Sequence, residues 1–216
     1  MAADSTGPLI MERAAEHVRA AIAAERRELA DVLHGLTGDQ WEAPSLCDGW
    51  TVREVAAHMS MGFRYSFART ALELARAGGK LHRMTDRLAR RDAAALTPAE
   101  LGAALRDNAH HPWKPPVGGL AAALGHDVVH GLDITVALGL ARQVPKERLR
   151  VVLETVKPQT LRFFRANLQD VELRTTDLAW SYGSGTRVIR PAQELLLLAY
   201  GRKLPAGLDR REHRRR

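Results

Sequence analysis

The chain has 216 residues, 45% of them hydrophobic but only 5% aromatic, and a single cysteine. This length suffices for one large domain or two small ones, and an Ala/Leu/Val-rich, aromatic-poor mix suits helix bundles better than sandwiches or barrels. Cys47 alone excludes an internal disulfide and fits a reducing cytoplasm. No apolar run nears the roughly 20 residues that cross a bilayer, and the first residues lack a secretory pattern, so neither a membrane partner nor secretion is expected.

From Met11 to about Leu36 the apolar positions Ala15, Val18, Ile22, Leu29, Val32, Leu33 and Leu36 recur with helical spacing, ending before Gly38. Trp41 to Trp50, with Pro44 and Gly49, reads as a loop. Thr51 and Glu54 have capping-box spacing and open a second helix that runs to about Ala77, where Gly78 and Gly79 stop it. Ala89 to Ala95 is rich in Ala and Arg without being low-complexity. Thr97-Pro98-Ala99-Glu100 repeats the capping signal with proline at the first helical position. The prolines of the segment from His110 to Gly119 make it a loop, and a helix over about Leu120–Leu138 follows it.

Pro145 starts an amphipathic stretch through Phe164, which Pro158 should kink or split. After Asn167 the period shortens. Val171–Thr176 and Leu178–Tyr182 read as strands, and Gly183-Ser-Gly185 as a turn into Thr186–Arg190. Pro191 begins a last helix, Ala192 to Tyr200. The period changes predict a mainly α chain: a helical bundle over 8–142, a small α/β module over 145–205 and a basic, disordered tail over 206–216. That tail matters for the charge. Residues 210–216 hold five Arg and one Glu, which is +4 of the net +7. With no nucleic-acid motif in the body, nucleic acid is not an expected partner, although a tail-mediated, salt-dependent association is a competing reading.

Chemistry concentrates in Gly125-His-Asp-Val-Val-His-Gly131. His126 and His130 are four residues apart, about one helical turn, so both imidazoles project from one face. His58 closes the stretch Thr51-Val-Arg-Glu-Val-Ala-Ala-His58. Three imidazoles from two helices would hold a divalent ion with a position left open. Asp127 and Asp133 are candidate acceptors for the imidazole N–H groups.

Three separated segments resemble the mycothiol-dependent maleylpyruvate isomerase family. They are Trp41-Glu-Ala-Pro-Ser-Leu-Cys-Asp-Gly-Trp-Thr-Val-Arg-Glu-Val-Ala-Ala-His58, then His130-Gly-Leu-Asp-Ile134 with Leu138-Gly139, and last Thr176-Asp-Leu-Ala-Trp-Ser-Tyr-Gly-Ser-Gly185 with Arg190 to Leu198 and Gly201-Arg202. The resemblance implies a DinB-like four-helix bundle followed by a small α/β domain. It also implies a divalent metal, usually zinc, and an actinobacterial thiol as nucleophile. His58 and His130 match the family's histidine ligands. His126 stands where the family has a glutamate, which leaves the site one negative charge poorer and nearer the three-histidine arrangement of the wider DinB group. Three imidazoles suit zinc, and also nickel or iron.

The function expected from these residues is a metal-dependent enzyme. It would use a mycothiol-like thiol for transfer to, or isomerisation of, a small electrophile, and act in the cytoplasm as monomer or homodimer. The alternatives are a non-catalytic metal- or ligand-binding regulator and a metal hydrolase with water in place of thiol. Cys47 is expected as a small buried residue rather than a ligand or nucleophile. Trp41, Trp50 and Trp180 are expected as packing anchors, and Asp48 as a cap for the second helix. His110 and His111 belong to an exposed loop at most lining the site's mouth. Arg53, Arg64 and Arg69 are candidates for holding an anionic substrate, with nothing to choose among them.

Overall fold

The structure, a computed structural model, describes residues 6–205, so the basic tail lies outside it. In chain order the helices are α1 (Thr6–His34), α2 (Gly38–Glu42), α3 (Val52–Arg64), α4 (Phe67–Arg76), α5 (Leu81–Ala95), α6 (Pro98–Asp107) and α7 (Gly119–Thr135). After them come α8 (Lys146–Leu153), α9 (Pro158–Phe163), β1 (Val171–Thr175), β2 (Ser181–Gly183), β3 (Thr186–Arg190) and α10 (Ala192–Ala199). The chain is mainly α, a DinB-like helical fold with a small α/β module. It divides into two compact units, Met1–Trp41 with Arg53–Asp127 and Glu42–Val52 with Val128–Arg216, so the boundary falls within α7.

In the first unit, α1 packs along α6, burying Leu29 and Leu33 with Leu101 and Leu105. Thr97 starts α6 with a complete capping box. Its hydroxyl accepts from the Glu100 N–H at 3.2 Å, and the Glu100 carboxylate accepts from the Thr97 N–H at 2.7 Å. One expected element is corrected. The helix read as continuous from Thr51 to Ala77 is broken after Arg64. Ser66 is extended (φ −66°, ψ 158°) and its hydroxyl accepts from the Arg69 N–H at 3.2 Å, so it caps a new helix, α4. A serine that bonds its own backbone competes with the helix ladder, which apolar periodicity does not register. The pattern reading also identifies no element between Gly79 and Thr97, where α5 buries Met84, Leu88, Ala89 and Asp92.

In the second unit, Pro158 separates α8 from α9 and occupies a first helical position. The three strands lie in the order β2-β1-β3, with β2 antiparallel and β3 parallel to β1. The expected turn at Gly183-Ser-Gly185 is therefore not a hairpin between neighbours. The chain leaves β2 at Gly183, opposite Glu172, crosses the start of β1 and pairs Thr186 with Val171. Both glycines have positive φ (84° and 118°). A Cβ would fall 2.3 Å from the Val171 carbonyl oxygen at Gly183 and 2.2 Å from that of Asp170 at Gly185. Only glycine passes so close to a backbone. Leu195, Leu196 and Leu197 of α10 are fully buried, and the Asp177 carboxylate accepts from the Ala192 N–H at 2.8 Å to start that helix.

Candidate metal centre

α7 is apolar along almost its whole length, and its only ionisable residues are His126, Asp127, His130 and Asp133. Both aspartates are buried, with at most 1% exposure. A buried carboxylate in such a helix persists only if cations or N–H groups satisfy it. Each one is satisfied by a histidine of its own helix and an arginine from a distant part of the sequence.

In the first unit, His126 Nε2 lies 3.3 Å from Nε2 of His58 on α3. A carboxylate can only accept, so His126 Nδ1 donates to Asp127 Oδ1 at 2.9 Å. This fixes the tautomer and leaves the Nε2 lone pair turned toward His58. Asp127 Oδ2 accepts from Arg26 Nε at 2.7 Å, and Arg26 is fully buried. Arg26 Nη1 reaches the carbonyl oxygens of Asn108, Ala109 and His111 at 3.2, 3.4 and 2.8 Å, so the same guanidinium fastens the loop before α7. Its face lies over Phe63, 4.6 Å from the ring centroid, while Nη2 is buried without a hydrogen-bond partner among the described residues.

That loop carries Trp113, whose ring packs 5.0 Å from the His126 ring between centroids, with Phe63 edge-on at 6.5 Å. Gly62, one turn after His58, makes room for it. A Cβ there would lie 2.4 Å from the indole. The wall beside His126 therefore needs both a glycine on α3 and an anchored loop.

In the second unit, His130 Nδ1 donates to Asp133 Oδ2 at 2.9 Å. Arg202 grips the same carboxylate through both oxygens, Nε to Oδ1 and Nη2 to Oδ2, each at 2.8 Å. Cys47 belongs here too. Its thiol donates to Asp133 Oδ2 at 3.1 Å, and Arg202 Nη2 stands 3.2 Å from the sulfur. The Leu46 N–H bonds the Asp133 carbonyl at 3.0 Å, which ties the Cys47 loop to α7. Burial pushes the Asp133 carboxyl up, but the Arg202 and His130 hydrogen bonds outweigh it and hold the group well below the usual carboxylate range. Burial, reinforced by the Asp133 charge, pushes the Cys47 thiol far above neutrality despite Arg202. Cys47, expected as a small buried residue, is thus a protonated thiol among charged groups.

The remaining candidates fall elsewhere. Arg64 is paired with Asp92 at 2.6 Å, Arg53 Nη2 donates to the Leu96 carbonyl at 3.0 Å, and Arg69 stacks 4.1 Å over the Tyr65 ring. Trp41 is buried, Trp50 and Trp180 are half-buried, and Asp48 is exposed. His110 is exposed beside Arg27, while the half-buried His111 accepts from the Trp113 N–H through Nδ1 at 3.1 Å.

Residues 22–111, including α3 and His58, match the family model of the mycothiol maleylpyruvate isomerase N-terminal domain. This segment belongs to that family. It is a DinB-like domain, and the matched stretch contains both Arg26 and the start of the loop that Arg26 clamps. Neither a curated protein nor a solved structure matches the chain. Sequence reasoning missed three residues around the α7 histidines: Arg26 and Trp113 beside His126, and Arg202 at the Asp133 that holds His130. For Arg26 a signal existed, because it falls on the apolar stripe of α1 with Ile22, Leu29, Ala30 and Leu33. A charge at a core position needs a buried partner.

Proposed function

We propose that the chain is a metal-dependent enzyme that uses a low-molecular-weight thiol of the mycothiol kind to add to, transfer to or isomerise a small electrophile in the cytoplasm. The observation that carries this reading is the facing pair of Nε2 atoms on His58 and His126, 3.3 Å apart, with His126 Nδ1 committed to a buried carboxylate. His130 follows one turn along α7 with its Nδ1 committed to Asp133, which directs its Nε2 to the opposite side of the ring. Neutral imidazoles with defined lone pairs are the donor set of zinc, nickel or iron, so the residues fit a divalent ion bound by His58, His126 and His130. When bound, such an ion lowers the pKa of a coordinated thiol and makes thiolate available near neutral pH.

Charge explains why an external thiol suits this donor set. Asp127 and Asp133 are already matched by Arg26 and Arg202, so they hold the imidazoles without neutralising an ion. A dication on three neutral imidazoles retains its charge and favours an anionic fourth partner. The Cys47 thiol lies on the Nδ1 side of His130, where it donates to Asp133 Oδ2. The match to a domain family named for mycothiol and maleylpyruvate isomerase supports a small thiol in that role. His126 and Trp113 would then bound the space in which the electrophile is oriented.

The test is metal content per chain in the purified protein, beside His126→Ala and His130→Ala variants, followed by thiol consumption with activated alkenes. The expected result is about one zinc-like ion per chain, lost in both variants, with thiol consumed only by loaded protein. Protein that refuses zinc and nickel overturns the reading. Turnover of a hydrolysable substrate without thiol would transfer the site to the hydrolase class.

A further inference from the structure

Resting on that reading, we infer that Arg26 is a positioning residue that couples two sides of the site through one guanidinium. Its Nε side orients the ligand. By binding Asp127 Oδ2 at 2.7 Å it leaves Oδ1 to hold His126 Nδ1, and so turns Nε2 toward His58. Its Nη1 side holds the wall. Contacts to the carbonyl oxygens of Asn108, Ala109 and His111 fix the backbone shortly before Trp113, whose ring lies against His126. Burial makes the arrangement strict. Arg26 has no exposed surface and is stacked over Phe63, so water cannot replace either set of acceptors.

Guanidinium geometry is what the role requires. A planar fork delivers Nε and Nη1 in fixed directions to a carboxylate on one side and carbonyls on the other, whereas a lysine ammonium reaches one group of acceptors at a time. Arg26 is therefore the element through which a change in the 108–111 backbone reaches the His126 ring, and through which an ion on His126 steadies the loop. Asp127 transmits only the first half of this coupling, which gives two variants with different signatures.

The experiment uses the full-length protein with zinc and cobalt(II). It reads ion affinity, the His126 ring-nitrogen shifts and amide hydrogen exchange over residues 108–114. In Asp127→Asn, zinc affinity should fall about 10–100-fold with the loop exchange unchanged, because only the ligand's anchor is altered. In Arg26→Lys the affinity should fall similarly while loop exchange rises about tenfold or more, and the His126 nitrogens should lose the single Nδ1–H tautomer. Arg26→Lys that moves only one of the two readouts, or neither, overturns the coupling. Should Arg26→Lys not fold, Asp127→Asn decides: unchanged affinity, or a loosened loop, overturns the assignment. Wild-type protein that takes up neither ion overturns the metal reading alone. The Arg26 assignment then stands or falls on the ring-nitrogen shifts and the loop exchange.

Discussion

The two histidines of α7 are anchored by the same two kinds of group, an aspartate and an arginine, and the difference between the anchors is instructive. His126 uses the adjacent Asp127 and an arginine that spends Nε on the carboxylate and Nη1 on a loop. His130 uses Asp133, three residues on, and an arginine that gives Nε and Nη2 to that carboxylate and Nη1 to the Tyr200 carbonyl, while the Cys47 thiol adds a further donor. The first anchor is a coupler that links a ligand to the chain around it. The second is a lock, saturated by donors aimed at one carboxylate. The same pair of residue types thus gives different anchors: Arg26 sends one donor to its carboxylate and clamps the loop before α7, whereas Arg202 sends two donors to the carboxylate itself.

The comparison breaks most visibly at Arg202. Arg202→Met strands a buried carboxylate and should cost about 3–5 kcal/mol in urea unfolding, more than removing one hydrogen bond would. A loss under about 1 kcal/mol would show that Asp133 is not locked by this arginine. At the His126 anchor, Gly62→Ala sets a methyl against Trp113 and should destabilise by about 1–3 kcal/mol, with ring-current shifts at His126 as the indole moves. Unchanged His126 resonances would remove Trp113 from the wall.

The smallest effect is expected at Cys47. Cys47→Ala deletes one donor to Asp133, about 1 kcal/mol. Its pH signature has a definite sign. Burial raises the folded thiol above its unfolded value, so the stabilisation is complete below that value, about pH 8.5, and declines above it as the unfolded chain ionises first. Wild type should therefore lose stability relative to Cys47→Ala as pH rises through 9 and 10. Parallel curves for the two proteins would contradict a buried, protonated thiol.

Much of this was legible in the residues. The helical period placed α1 and α7, the Thr97–Glu100 spacing placed the start of α6, and Pro158 divided α8 from α9. Features decided by tertiary contact were not legible. Nothing in the apolar pattern around Tyr65 announces that Ser66 will cap a helix, and Tyr65 donates to Asp92, 27 residues away. The parallel pairing of β3 depends on two glycines slipping past the start of β1, where the local signal reads only as a turn. At the site, His126 and His130 stood out because they share a helix face. Arg26 and Arg202 contact their aspartates across 101 and 69 residues of sequence. Arg26 had its place on the apolar stripe of α1 as a signal, whereas the charge of Arg202 looked like ordinary surface in a chain with 32 basic residues.

The position of Arg202 also sets an order on how the protein can be made. Once residue 127 has left the ribosome, every group of the His126 anchor exists, because Arg26, the 108–111 carbonyls and Asp127 all precede it. Asp133 must wait for a further 69 residues before its guanidinium is synthesised. A nascent chain interrupted after Tyr200 would contain His58, His126 and His130 and still lack the guanidinium that matches the buried Asp133 near the end of α7.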